Sequence, residues 1–160
     1  MTLSGIRSGI TYKQPPITEA VIEFRFAQAL DLPTVEKARD GFSKEFSIVA
    51  KLEQLEWQFS GDPVHSSLNT STAGYRLHNA DSTEIVVITA FSLSFSRVAP
   101  YSGWAAFSDS AMKIYGRFRE LIGYTQIFRL GVRYINRLDG KFVYSQLIPE
   151  NDHRFSWHYR

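Results

Sequence analysis

Two segments near opposite ends of the chain constrain its fold most. One runs Pro15-Pro16-Ile17-Thr18-Glu19-Ala20-Val21-Ile22-Glu23-Phe24-Arg25-Phe26. The other runs Arg129-Leu130-Gly131-Val132-Arg133-Tyr134-Ile135-Asn136-Arg137-Leu138. Each sets charges at multiples of two residues within an apolar run, the period of a strand with one buried face. The first carries glutamates and the second arginines. Burying a charge is costly unless it is paired. These side chains therefore either pair with each other or face a ligand.

Between these segments the pattern alternates between the two periodicities. Residues 19–27 read as a half-buried strand, with Ile22, Phe24 and Phe26 on one face and Glu19, Val21, Glu23 and Arg25 on the other. Pro33 opens a helix carrying Val35, Ala38, Phe42 and Phe46 at helical spacing, weakened by Gly41. Leu55, Trp57 and Phe59 alternate as a strand that Gly61-Asp62-Pro63 stops. Residues 62–72 read as a polar loop, and Tyr75 and Leu77 as a short strand. One long strand is expected over 84–97, with Ile85, Val87, Phe91, Leu93 and Phe95 in phase and Ser92, Ser94 and Ser96 facing water or a ligand. After a turn at Pro100–Trp104 comes the clearest amphipathic helix, with Phe107, Ala111, Ile114, Phe118, Leu121 and Ile122 on one stripe and Gly123 as its stop. A last strand is expected over 125–138.

The order strand, helix, three strands, helix, strand predicts an α+β fold, an antiparallel sheet with two helices packed on one face. A ferredoxin-like or TATA-binding-protein-like half-domain fits, with a helix-grip fold as the alternative. The last strand has the character of the first and could open a second repeat, although the similarity is too weak to define an internal repeat. The domain is expected over residues 15–150. Residues 1–14 form an irregular leader, and 151–160 a polar, aromatic tail that reads as an incomplete strand or as a basic contact for RNA, DNA or protein.

Composition narrows the chemistry. An apolar fraction of 44% in 160 residues suits one packed domain. A net charge of +2 does not imply nucleic acid. Basic residues gather late, at Arg117, Arg119, Arg129, Arg133, Arg137 and Lys141, and acids early. With no cysteine, disulfides, thiol catalysis and cysteine-ligated zinc are excluded. His65, His78, His153 and His158 show no metal-ligand spacing, and the standard nucleotide-binding loops and the serine-hydrolase elbow are missing. No catalytic residue, metal or cofactor is expected. No apolar run is long enough to span a membrane, so no membrane partner is expected and the expected location is cytoplasmic.

Three motifs carry a resemblance. Pro15-Pro16-Ile17-x-Glu19-Ala20-Val21-Ile22-Glu23-x-Arg25-Phe26, Pro100-Tyr101-x-Gly103-Trp104 and Leu130-Gly131-x-Arg133-Tyr134-Ile135-Asn136-Arg137 occur in that order. The chain so resembles a sporadically distributed, uncharacterised prokaryotic protein family. Members tend to be longer, which implies that this chain matches their N-terminal part. The resemblance implies no catalytic residues. The patchy distribution implies accessory genes of mobile elements.

The candidate binding residues are Arg129, Arg133 and Arg137 with Tyr134. At four-residue spacing the arginines share a strand face, about 13–14 Å from one to the next. They suit phosphates or an acidic strip on a partner. The competing structural reading is a charge cluster of Glu19, Glu23, Arg25, Arg133 and Arg137, in which Arg133 and Arg137 pair with Glu19 and Glu23 across neighbouring strands. Catalysis or cation binding by Glu19 and Glu23 is the weakest reading. The expected function is a non-enzymatic protein-interaction domain that binds a partner, or itself as a homodimer, through a sheet face and a free strand edge. Nucleic-acid binding through the arginine row is the alternative. An enzyme of unknown type centred on Glu19, Glu23 and Arg133 is the third.

Overall fold

In the order of the chain, β1 (Ile17–Phe26), α1 (Leu32–Phe42), β2 (Ile48–Phe59), β3 (Ser66–His78), β4 (Glu84–Thr89), β5 (Ser92–Val98), α2 (Trp104–Ile122) and β6 (Ile127–Asn136) build one antiparallel sheet backed by two helices. The computed structural model describes residues 15–59 and 66–137. The expected leader, the Gly61-Asp62-Pro63 stop, His65, Lys141 and the tail lie outside the described residues. The strand order is β2-β3-β4-β5-β1-β6, and every neighbouring pair is antiparallel. The chain folds as α+β with two helices on one face.

The helices begin and end where local chemistry directs. The Asp31 side chain accepts from the Thr34 N–H at 3.0 Å and caps α1. Proline at the first turn lacks only a donor that would have no helical partner there. α2 ends at Gly123, whose φ of 87° suits glycine and whose N–H donates to the Arg119 carbonyl. The two helices approach so closely that a side chain at Gly41 would press into Leu121. Arg117 of α2 fastens the contact, donating to the Gly41 carbonyl at 2.7 Å and lying over the Phe42 ring.

The core lies between this helical layer and the even-numbered residues of β1. Ala20, Ile22, Phe24 and Phe26 are buried there with Val35, Phe42, Phe107, Ala111 and Phe118. Full burial of each large apolar side chain contributes about 1.5–3 kcal/mol. Phe24 stacks on Tyr115 and Phe26 on Phe118, which ties β1 to α2. Phe46 is buried too, although it follows the end of α1.

Two expectations are corrected. The stretch 84–97 is a hairpin, β4 and β5, so four strands separate the helices. Its turn lies between Thr89 and Ser92, where the Thr89 hydroxyl accepts from the N–H groups of Phe91 and Ser92. The two strands have opposite parity. Val86 and Ile88 of β4 and Leu93 and Phe95 of β5 all face the core. Ile85 and Val87 lie opposite Ser96 and Ser94 on the other side, and Ser92 and Ser96 are buried, not solvated. An apolar run of this length lets period two continue through a tight turn unnoticed. Second, residues 66–72 are strand, not loop. They pair with Glu53–Phe59, and because β4 meets β3 only from Gly74 onward, this part of β2 and β3 stands beyond the sheet as a two-stranded arm. Polar alternation with threonine suits an exposed ribbon as well as it suits a loop.

Candidate functional site: the open face at β1 and β6

The strand parity that sends the even residues of β1 into the core sends Glu19, Val21, Glu23 and Arg25 to the face without helices. β6 continues that face. Its register places Arg129 opposite Arg25, Gly131 opposite Glu23, Arg133 opposite Val21 and Ile135 opposite Glu19. On the other flank of β1, Ser94 lies opposite Glu23. Four of the five residues of the expected charge cluster therefore meet on one face. Arg137 follows the end of β6, and its backbone N–H donates to the Pro16 carbonyl.

The expected cross-strand pairing of Arg133 does not form. Arg133 sits diagonally between Glu19 and Glu23, not opposite either, and makes no ion pair with them. Arg129 is likewise without an ion pair or hydrogen bond to a described residue. It stands directly opposite Arg25, an arrangement that is unfavourable by itself. Glu23 moderates it: its Oε1 lies 3.9 Å from Arg25 Nε. That Nε is buried and has no hydrogen-bond partner.

Gly131 opens space between these groups. The point where its Cβ would stand is 3.8 Å from Glu23 Oε2 and 3.9 Å from Arg129 Nη2. A carboxylate and a guanidinium thus flank a position without a side chain. Here lies a pocket of about 180 Å³, lined by Val21, Glu23, Ser94, Arg129, Gly131 and Arg133. Glu19 and Glu23 are about 13 Å apart along β1, with Val21 between them, and do not converge as a carboxylate pair.

Tyr134 does not join this site. It points to the helix side of β6, where its hydroxyl lies 3.2 Å from that of Tyr101 and the rings meet edge to face. Burial, and then the hydrogen bond with Tyr134, push the Tyr101 phenol above its ordinary pKa. Trp104 opens α2 and meets Phe107 edge to face, as a helix-entrance packing residue.

On the same helix side β6 carries a row that sequence reasoning missed. Leu130 and Val132 are 61% and 45% exposed. Their spacing was visible, but a buried strand was the natural reading of it. Among the described elements only β1 brings its backbone close to β6, and that is a property of the assembled layers. β6 is also an edge strand of the sheet among the described residues.

Among the described residues there is no group of three or more His, Asp or Glu side chains able to hold a metal ion, and no helix is long and apolar enough to cross a membrane. No protein-family model matches the chain, and no curated protein or solved structure shows significant similarity to it.

Proposed function

We propose that this domain is a protein-interaction module that accepts an extended partner segment along the outer edge of β6. The observation that carries this reading is the two-sided character of that edge. Its helix side shows Leu130 and Val132, and its open side shows Arg129 and Arg133 without an ion pair or hydrogen bond among the described residues. An edge strand of this kind is a template for strand addition, with main-chain hydrogen bonds supplying affinity and alternate side chains supplying specificity. The fitting partner alternates apolar and acidic residues. β1, with Ile22 and Phe24 on one side and Glu19 and Glu23 on the other, already presents that pattern to the inner edge. A second copy of the chain fits less well, since β6 against β6 brings arginines and no acids. The setting we attach to this reading, an accessory protein of mobile elements or of phage–host conflict, rests on the motif resemblance alone.

A ten-residue peptide alternating valine and glutamate is the direct probe. It is expected to bind the chain and to slow hydrogen exchange at β6 amides. Leu130→Lys with Val132→Lys should weaken binding at least tenfold while leaving the thermal midpoint nearly unchanged, because both side chains are largely exposed. Absence of β6 protection, or equal binding of a peptide of the same composition in scrambled order, would refute strand addition. A doubled mass by light scattering without peptide would assign the edge to a second copy instead.

Nucleic-acid binding remains the second reading because Arg129 and Arg133 have no ion-pair partner among the described residues. The glutamates on the same face oppose it. Single-stranded DNA that binds in low salt and is released steeply as salt rises would favour it. The third expectation, an enzyme centred on Glu19, Glu23 and Arg133, finds no support in carboxylates that do not converge.

A further inference from the structure

The pocket on the open face shares Arg129 and Arg133 with the β6 edge and adds Val21, Glu23 and Ser94 from β1 and β5. Three arginines, Arg25, Arg129 and Arg133, and two glutamates, Glu19 and Glu23, share this part of the sheet, which leaves one positive charge in excess (3 − 2). That excess matches a monoanion better than a polyanion. The cationic groups are guanidinium forks, which suit a planar carboxylate through paired N–H donors. Among the described residues, Arg129 and Arg133 have no ion-pair partner to release before they bind. Gly131 and Val21 form the apolar part of the lining, and Ser94 adds a hydroxyl. The space, about 180 Å³, exceeds the cavity of about 150 Å³ that admits benzene in a protein core.

From these features we infer that the pocket between β5, β1 and β6 is a binding site for a small monocarboxylate, with its anionic end on Arg129 and Arg133 and its apolar body over Gly131 and Val21. Glu23 sets the selectivity. It repels a second negative charge at the pocket wall, so a dicarboxylate or a phosphate dianion is disfavoured there. The site shares Arg129 and Arg133 with the proposed strand-addition edge, so an acidic strand added to β6 competes with a carboxylate for them.

The test uses the chain without partner and sodium benzoate as the probe, followed by amide NMR. Saturable shifts are expected at Val21, Ser94 and Gly131. Benzamide, the neutral isostere, should produce none at the same concentrations. Arg129→Gln with Arg133→Gln should reduce benzoate affinity at least tenfold, and both side chains are exposed, so the variant should fold. Gly131→Val is a second check. Its side chain occupies the pocket while leaving both arginines in place, and it should abolish benzoate binding. Shifts that do not saturate, equal shifts with benzamide, or affinity unchanged in the double variant would overturn the site. Sulfate that competes as strongly as benzoate would overturn the assignment to carboxylate. Peptide-borne glutamate binding in the pocket while benzoate does not would assign the carboxylate to a partner chain and overturn the small-molecule source.

Discussion

Replacing Gly74 with valine is expected to destabilise the fold by about 3–5 kcal/mol, the sum of a strained backbone and an overpacked contact. Gly74 has a φ of 155°, and a Cβ placed there would run into the carbonyl oxygen of Ile88 in the neighbouring strand. The position is a junction. β3 pairs with both β2 and β4 from Gly74 onward, but with β2 alone before it. The register with β2 also shifts there, since Leu52 pairs with Gly74 and Glu53 with Thr72. The chain has to pass from a sheet into an arm within one residue, and the backbone of β4 is too close to admit a side chain. For a protein of this size the loss corresponds to a fall in thermal midpoint of roughly 10 °C. Thermal unfolding followed by circular dichroism reads it directly. A midpoint within 2 °C of the parent would show that the junction tolerates a side chain, and would refute the close packing of β3 on β4 at this point.

Arg97→Ala is expected to cost about 2 kcal/mol. Arg97 of β5 lies directly across from Glu84 of β4, and its Nη2 is paired with that carboxylate. The same guanidinium donates to Ser110 of α2 at 3.0 Å and to Ser102 of the preceding segment at 3.3 Å. One side chain so joins two strands and the second helix. Breaking a fully buried ion pair costs about 3–5 kcal/mol. The side chains of Arg97 and Glu84 remain 18% and 26% exposed, so water recovers part of that loss. Arg97→Lys should regain less than half of it, because an ammonium cannot span the carboxylate and Ser110 as a planar fork does. Urea titration should show a lower midpoint with an unchanged slope. A lysine variant as stable as the parent would show that charge alone, without the fork, holds α2 to the sheet.

The face assignments of β1 were legible in the sequence, and so was the buried stripe of α2. Ile22, Phe24 and Phe26, and Phe107, Ala111, Ile114 and Phe118, are buried as their periods require. Those elements are amphipathic, and one local period suffices to orient them. The β4–β5 hairpin was not legible. Its turn offers no charge or glycine to mark the reversal, and the parity change becomes visible only when Val86 meets Phe95. Arg97 was hidden for a related reason. It is one arginine in a strand until Glu84 and Ser110 arrive from elements on either side of it.

The two charged strands show where the boundary lies. Sequence by itself determined that the glutamates would share one face of β1 and the arginines one face of β6, since a period of two sends alternate residues to one side; the pairing of the two strands made those faces one. It also determined that these strands could pair. The offset between them was decided by tertiary structure. In the observed register Arg133 meets Val21 and Gly131 meets Glu23. A slip of two residues would keep each side chain on its face and yet set Glu23 opposite Arg133, the pairing expected from charge. On the helix side, the observed offset brings Tyr134 to Tyr101, their rings edge to face. A solvent-exposed ion pair is worth about 1 kcal/mol or less, too little to impose the register expected from charge. That choice leaves Arg129 and Arg133 with charge to offer beyond the fold.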